Sequence, residues 1–395
     1  MKQPLQSFGL ESKDKKAVVP SELLKTDSDT QMQKTCLLYN FAQHYRAAIF
    51  CLLDKEGGID FYFGDKMQDV KKMDYSLLSN FKYELKNIKI FSSIYWQKGA
   101  VSLFFKDYDK YIILGEYFCL STWMLLLLSK FSNKKVYLWT HGWYGNESFI
   151  KKVIKKIFFN LSDGLLLYGN YAKKLMIEEG FPEKKMHVIY NSLDYDLQVR
   201  VRENIVKSDI YLNYFKNDYP VLIFTGRLNK EKKLEQLINA AQELKEIGIF
   251  VNLVFVGIGS EEENLVKKMK LSGFNNYWFY GACYDENKLG ELIYNATLCV
   301  SPGNIGLTAI HSLVYGTPVI THSDFSKQGP EFEAIEENVS GGFFIKDDEV
   351  DLANKIRQWL SKKNREETRA NCFKIVDEKY NPHFQLQVVK DILKE

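Results

Sequence analysis

Arg227 and Lys232 stand five residues apart in the segment Phe224-Thr-Gly-Arg-Leu-Asn-Lys-Glu-Lys-Lys233, which follows an apolar strand and opens a helical pattern. A guanidinium forks onto two phosphate oxygens, and an ammonium adds a point charge one turn away. A helix beginning near Lys233 would add the partial positive charge of its N-terminus. Gly226 lets the chain turn tightly at the strand end, just before Arg227. The chemistry this group suits is gripping a diphosphate and stabilising it as it leaves. A solvated basic loop with no ligand would carry the same residues.

Two further segments follow strands in the same way. Phe255-Val-Gly257-Ile-Gly259 runs into three successive glutamates, so the third glycine of a dinucleotide fingerprint is replaced by Glu262. Acids at a helix start complement its dipole but repel a pyrophosphate, so Gly257 is assigned to a tight turn along the wall of a nucleotide pocket. Ser301-Pro-Gly303-Asn304-Ile305-Gly306-Leu307 leads into a helix bearing His311. Gly303 and Gly306 leave backbone N–H groups open to a phosphate or sugar oxygen. His311 is either a ligand to that pocket or a core histidine bonded to backbone. Backbone around Tyr280-Gly281 is placed to read a base. In the first half, Trp139-Thr-His141-Gly142 ends a strand, and His141 there can position a hydroxyl or simply serve a turn.

The elements that must hold these residues alternate. TCLLYNF, IDFYFG, IKIF, KYIILG, KKVYLWTHG, DGLLLYG and MHVIYN read as strands, with helical patterns between most of them. PVLIFTG, VNLVFVG, NYWFYG, ATLCVSPG and TPVIT repeat the theme in the second half. Short apolar runs separated by helices predict parallel sheets covered on both faces, an α/β class of doubly wound, Rossmann-like domains. The charged connection Asp194–Asp218 separates the two halves. The expected organisation is a loose extension over 1–34, a first domain over 35–200 and a second over 201–378. The last helix, 379–395, is expected to pack back towards the first domain. Ligands of such folds bind at the carboxyl ends of the strands, here a cleft between two sheets.

With 395 residues the chain is too long for one ordinary core. Its net charge of +3 recruits no nucleic acid, which removes that class of partner. Six scattered cysteines without CxxC spacing fit a reducing cytoplasm better than a disulfide or metal framework. No secretory signal or spanning helix is expected, since the longest apolar stretch, Trp123 to Leu128, falls far short of ~20 residues. The stretch Phe149 to Phe159 sets apolar residues at 149, 150, 153, 154, 157 and 158 against Lys151, Lys152, Lys155 and Lys156. It reads either as a helix docked on a sheet with its lysines solvated or as a peripheral contact with an anionic membrane.

Taken together, the segments resemble the C-terminal domain of retaining GT-B glycosyltransferases of the family 4 (glycosyl transferases group 1) type, over roughly residues 163–345. The Gly-Arg-Leu…Lys element is Gly226-Arg227-Leu228 with Lys232, and Gly-Thr-Pro-Val-Ile stands at 316–320. Asn191-Ser-Leu-Asp194 resembles the family's Asn-Gly-Ile/Val-Asp, with Ser in place of Gly. The family's Glu-x7-Glu pair is missing, because Gly303 and His311 occupy the two positions. The resemblance implies a GT-B fold and a metal-independent transfer from a UDP-sugar or GDP-sugar, with retention. The acceptor would be a hydroxyl of a saccharide or lipid-linked saccharide, in surface polysaccharide synthesis. The protein would be cytoplasmic, peripheral on the inner face of the cell membrane. It makes Arg227, Lys232 and His141 catalytic. It puts Gly226, Gly257, Gly281, Gly303, Asn304, Ile305, Gly306, Leu307, His311 and Asn191 around the donor. The first loop lacks the paired glycines common in the family, leaving Gln43, His44 and Arg46, with Gly142, on the acceptor side. A non-catalytic nucleotide-sugar-binding subunit and a sugar-nucleotide 2-epimerase are the alternatives.

Overall fold

A computed structural model describes residues 34–66, 70–362 and 364–394. The extension expected over 1–34 lies, apart from Lys34, outside the described residues. The described residues form one compact unit containing two sheets.

The first half runs β1 (Thr35–Tyr39), α1 (Ala47–Lys55), β2 (Ile59–Gly64), β3 (Phe81–Phe91), β4 (Ile94–Lys98) and β5 (Lys110–Leu114). It continues with α2 (Leu120–Ser129), β6 (Lys135–Thr140), α3 (Phe149–Asn160), β7 (Gly164–Leu167), α4 (Asn170–Glu178) and β8 (Met186–Val188). Its sheet order is β4-β3-β2-β1-β5-β6-β7-β8, parallel except for the β3–β4 pair. The apolar strands are buried on both faces, as a parallel sheet between helix layers requires. Leu125, Leu126, Phe158, Phe159 and Met176 from α2, α3 and α4 pack on one face, and Ile49, Phe50 and Leu53 from α1 on the other.

The second half runs α5 (Tyr195–Asn204), α6 (Ile210–Phe215), β9 (Val221–Thr225), α7 (Leu234–Glu246), β10 (Asn252–Val256), α8 (Glu262–Leu271) and β11 (Tyr277–Gly281). There follow α9 (Glu286–Asn295), β12 (Leu298–Ser301), α10 (Thr308–Val314), β13 (Val319–His322), β14 (Gly341–Phe344), α11 (Glu349–Leu360), α12 (Arg365–Glu378) and α13 (Pro382–Lys394). The parallel order β11-β10-β9-β12-β13-β14 reverses direction between β9 and β12. That switch point opens a crevice at the carboxyl ends of those two strands, where the loops bearing Arg227 and Gly303 emerge. The first sheet has its own switch between β1 and β5.

Four elements depart from the sequence reading, the unexpected strand β4 being one of them. IKIF is the end of the longer strand β3, which forms an antiparallel hairpin with β4. β14, built on Gly341-Gly342, has no counterpart among the expected strands. The charged connection 194–218 folds into α5 and α6, which bury Val201 and Tyr211 in the second domain's core. The chain then recrosses: Val389 and Ile392 of α13 complete the first domain's core, and Lys110 Nζ donates to the Leu393 carbonyl at 2.6 Å.

Helix α3 is rotated away from the expected docked arrangement, so that of its expected apolar face only Phe158 is buried, beside Phe159. Lys155 is turned inward, 3% exposed, and pairs with the fully buried Glu147 carboxylate at 2.6 Å. Phe149, Ile150, Val153, Ile154 and Ile157 face outward instead.

Candidate active site

Three loops of the second domain meet backbone against backbone at the switch point. A Cβ on Gly257, whose φ is +141°, would lie 1.9 Å from the Gly226 carbonyl oxygen. A Cβ on Gly303 would lie 1.9 Å from the carbonyl oxygen of Glu231. Such approaches admit glycine alone, which explains both positions without reference to a ligand. The contacts are pinned by hydrogen bonds from Gly226 N to Val256 O (2.9 Å), Gly257 N to Gly281 O (2.8 Å) and Gly303 N to Lys232 O (2.9 Å). The crevice at the switch point is thus bordered by loops packed main chain to main chain.

Into it come the two cations. Arg227 is exposed at the end of β9, and Lys232 is half-buried with its ammonium donating to the Asn304 carbonyl. Burial lowers the Lys232 pKa, opposed by the charges of Glu331 and Glu231. α7 begins immediately beyond, with Lys233 at its N-cap in the left-handed region at φ +50°. Asn304 and Leu307 are half-buried, Ile305 is fully buried with its N–H on Gln328 Oε1 at 2.9 Å, and Gly306 turns at φ +55°. Gly281 closes the β11 end at φ +86°.

His311 is not bonded to backbone through its ring. Its Nε2 lies 2.8 Å from Glu286 Oε1, and the same oxygen accepts from the Tyr315 hydroxyl (2.6 Å) and the Gln198 amide (3.1 Å). Burial opposes ionisation of Glu286, but these three donors and the His311 charge bring its pKa down to about 2. A carboxylate therefore stands beside position 311, supplied by the first residue of α9.

Facing this groove is the first domain. His141 is exposed at the edge of the site and lies between Tyr168, at 4.7 Å centroid distance, and Tyr144, at 5.9 Å. Protein crowds it from both sides; that desolvation, with Arg46 and Lys155 nearby, lowers its pKa to about 4. The imidazole is neutral at physiological pH and so can accept a hydrogen bond or proton. Gly142 turns at φ +65° and sits on the core, where a Cβ would meet Leu167 Cδ2 at 2.8 Å. Its place in the turn is explained by packing. Gln43 is buried, and His44 is exposed with Nδ1 3.2 Å from the Lys71 carbonyl.

Arg46 is buried in a cage of Tyr39, Trp139 and Tyr168, its Nη2 donating to the Tyr168 hydroxyl at 2.5 Å. Burial works against its charge, yet Tyr168, Tyr39, Tyr45 and Glu331 around it hold the pKa above the usual arginine value. Its Nε and Nη1 make no hydrogen bond.

The sequence reading missed four carboxylates here. Glu331 is buried at the meeting of both domains, with Oε1 accepting from Asn191 Nδ2 at 2.8 Å. Burial raises its pKa, and Asn191, Arg46 and Lys232 pull it back. Glu333 spans the domains by accepting from the Asn170 and Tyr171 amides at the start of α4, at 2.7 and 2.8 Å. Glu116 follows β5 at the first domain's switch point, holding Asn40 Nδ2 at 3.1 Å and the Tyr95 hydroxyl at 2.7 Å. Glu286 is the fourth. None sits in a motif, and each is recognised only by the partners that folding brings to it. Among the described residues, no group of three His, Cys, Asp or Glu side chains is assembled to hold a metal ion.

Part of the sequence, and the fold, are similar to known proteins. Residues 213–375 match the family model of glycosyl transferases group 1. An uncharacterized 41.2 kDa protein in the cps region of Klebsiella pneumoniae is 23% identical over 53% of this chain and 57% of its own length. A putative glycosyltransferase EpsD of Bacillus subtilis is 29% identical over 38% of both chains. The matches therefore span less than two thirds of these relatives. The crystal structure of Anabaena Alr3699/HepE in complex with UDP superposes with a TM-score of 0.69 and 16% identity, covering 92% of this chain and 100% of that one. At that identity the likeness speaks for the fold, which is GT-B. Residues 213–375 thus match the glycosyl transferases group 1 model, within a chain of GT-B fold.

Proposed function

We propose that this protein is a retaining glycosyltransferase that moves a sugar from a nucleoside diphosphate sugar to a hydroxyl of a saccharide or lipid-linked saccharide. The observation that carries the reading is the cation pair Arg227 and Lys232 on the crevice at the β9–β12 switch point. As the bond to the anomeric carbon breaks, negative charge grows on the departing diphosphate. Arg227, Lys232 and the N-terminus of α7 meet that charge without a metal ion. Retention follows the family resemblance: attack comes from the face the leaving group departs, and its phosphate takes the acceptor's proton. Neutral His141 and buried Arg46 face the donor sugar and acceptor from the first domain's side, and buried Glu331 meets them from the second.

The UDP in the structural neighbour supports a uridine donor, and a GDP-sugar stays in the same reading. The capsule-region relative supports surface polysaccharide as the product. The place of action is the cytoplasm, at the inner face of the cell membrane. A thermal-shift screen over UDP- and GDP-sugars identifies the donor, since a ligand at 100 times its Kd adds about 2.7 kcal/mol. With that donor, Arg227→Ala is expected to slow transfer about 10²-fold or more while the melting temperature stays put. Unchanged turnover would remove the diphosphate role. Donor binding without transfer or hydrolysis would instead make the chain a non-catalytic subunit, and conversion of donor to an epimer would make it an epimerase.

A further inference from the structure

Helices α2 and α3 carry an uncovered apolar platform. On α2 and the turn after it, Leu120, Met124, Leu127 and Phe131 follow at steps of four, three and four, and all are exposed. On α3, Phe149, Val153 and Ile157 form one outward row, with Ile150 and Ile154 beside it. The two helices are neighbours, linking β5 to β6 and β6 to β7, and they touch where the rings of Trp123 and Phe158 lie 5.0 Å apart. Phe131, Phe149 and Ile150 are 90%, 80% and 71% exposed. Isolated exposed apolar residues are ordinary, but two adjacent rows of this size mark a contact surface.

The orientation of α3 is the telling part. Facing its apolar row inward would bury that row and leave every lysine in water. The fold instead buries Lys155 against Glu147, with the ammonium 4.9 Å from the Trp143 ring centroid, and turns the apolar row outward. The cost of desolvating an ion pair is accepted to keep that row outside.

The charge around the platform selects its occupant. Between residues 120 and 160 the chain has seven lysines and one acidic residue, Glu147, although the whole chain carries only +3. With Lys155 and Glu147 paired inside, and Lys130 and Lys152 in ion pairs with Asp163 and Glu179, the segment keeps the surplus positive charge of Lys134, Lys135, Lys151 and Lys156, of which Lys134 and Lys156 donate to backbone carbonyls. A second copy of this face would oppose like charge to like, which disfavours self-association through it. Lysine stems along an apolar row with their ammoniums reaching past it suit a negatively charged lipid surface.

We infer that α2 and α3 together insert their apolar rows into an anionic phospholipid surface. The loop 141–148 joins His141 to the first turn of α3, so the same docking holds the first domain's side of the cleft near the bilayer, where a lipid-linked acceptor resides. The inference deepens the membrane location in the proposed function. Vesicle binding itself requires neither donor nor transfer, so its failure and the failure of the transferase reading are separable.

The test is flotation of the full chain with vesicles of phosphatidylcholine alone and of phosphatidylcholine mixed with phosphatidylglycerol. Binding is expected to the mixed vesicles and to fall at least about tenfold in Phe149→Ser/Ile150→Ser/Ile157→Ser, with an unchanged melting temperature because these side chains are exposed. Phe131→Ser/Leu127→Ser on α2 is expected to weaken binding as well, showing that both helices take part. Lys151→Ala/Lys156→Ala is expected to reduce the preference for the charged vesicles. Absence of vesicle binding would overturn the inference, as would equal binding to both compositions or insensitivity to the serine variants. A concentration-dependent dimer abolished by the serine substitutions would assign the surface to a second copy and would equally overturn it.

Discussion

Replacing Glu286 by glutamine tests the electrostatics of the cluster beside position 311. In the native chain one carboxylate oxygen of Glu286 accepts from His311, Tyr315 and Gln198 at 2.8, 2.6 and 3.1 Å, and the side chain is 21% exposed. These donors depress its pKa from 4.5 to about 2. Each tenfold gain in acidity on folding is worth about 1.4 kcal/mol, so the ionised state stabilises the fold by roughly 3 kcal/mol at pH 7. Because the folded value lies below the unfolded one, this stabilisation is fully present above about pH 4.5 and is lost as pH falls through about 2. Urea unfolding of wild type and Glu286→Gln is expected to differ by about 3 kcal/mol at pH 7 and by about half that at pH 3. A gap that does not narrow at pH 3, or one below about 1 kcal/mol at pH 7, would refute the reasoning. The same variant reads the site. If the cluster holds the nucleotide's ribose, Glu286→Gln weakens binding of the nucleotide about tenfold or more while leaving its 2′,3′-dideoxy analogue unaffected.

Two further outcomes follow from packing. Restoring a side chain at the first vacated carboxylate position is expected to fail: Gly303→Ala puts a Cβ 1.9 Å from the Glu231 carbonyl oxygen, so thermal unfolding should show a loss of about 1–3 kcal/mol or more, and Gly303→Glu should gain no activity. Glu147→Gln strands the Lys155 ammonium in the interior and weakens the hold on the Tyr144 and Gly145 amides, so a loss of about 3–5 kcal/mol is expected by denaturant unfolding, much of it recovered by adding Lys155→Met; a variant as stable as wild type would deny the pair its role.

What the sequence made legible were features that repeat locally. Apolar runs such as VLIFT and NLVFV, each five residues long and followed closely by a glycine, read as strands buried on both faces, and the basic loop after the first of them stands at the switch point. What it hid depends on distant partners. β14 is two glycines and two phenylalanines, without the β-branched run that marks its neighbours. Glu331 lies in a polar stretch, and its burial comes with Asn191, 140 residues away. Lys155 repeats a solvent-facing pattern with its neighbouring lysines, and only the folded chain brings Glu147 and the Trp143 ring to it. The cluster that puts a carboxylate beside His311 joins α5, α9 and α10, three elements with no shared motif.

The return of α13 has a temporal consequence. Synthesis proceeds from the N-terminus, so all eight strands of the first sheet emerge before any of the second. The apolar floor formed by Ile49, Phe50 and Leu53 nevertheless waits for Val389 and Ile392, more than 300 residues later. Gln385 fastens the returning helix by donating to the Tyr190 carbonyl and accepting from the Ser192 hydroxyl, at the point where the chain first leaves that domain. The domain made first is therefore sealed last. Throughout its synthesis it presents a greasy surface to the cell that only the completed second domain can deliver the lid for.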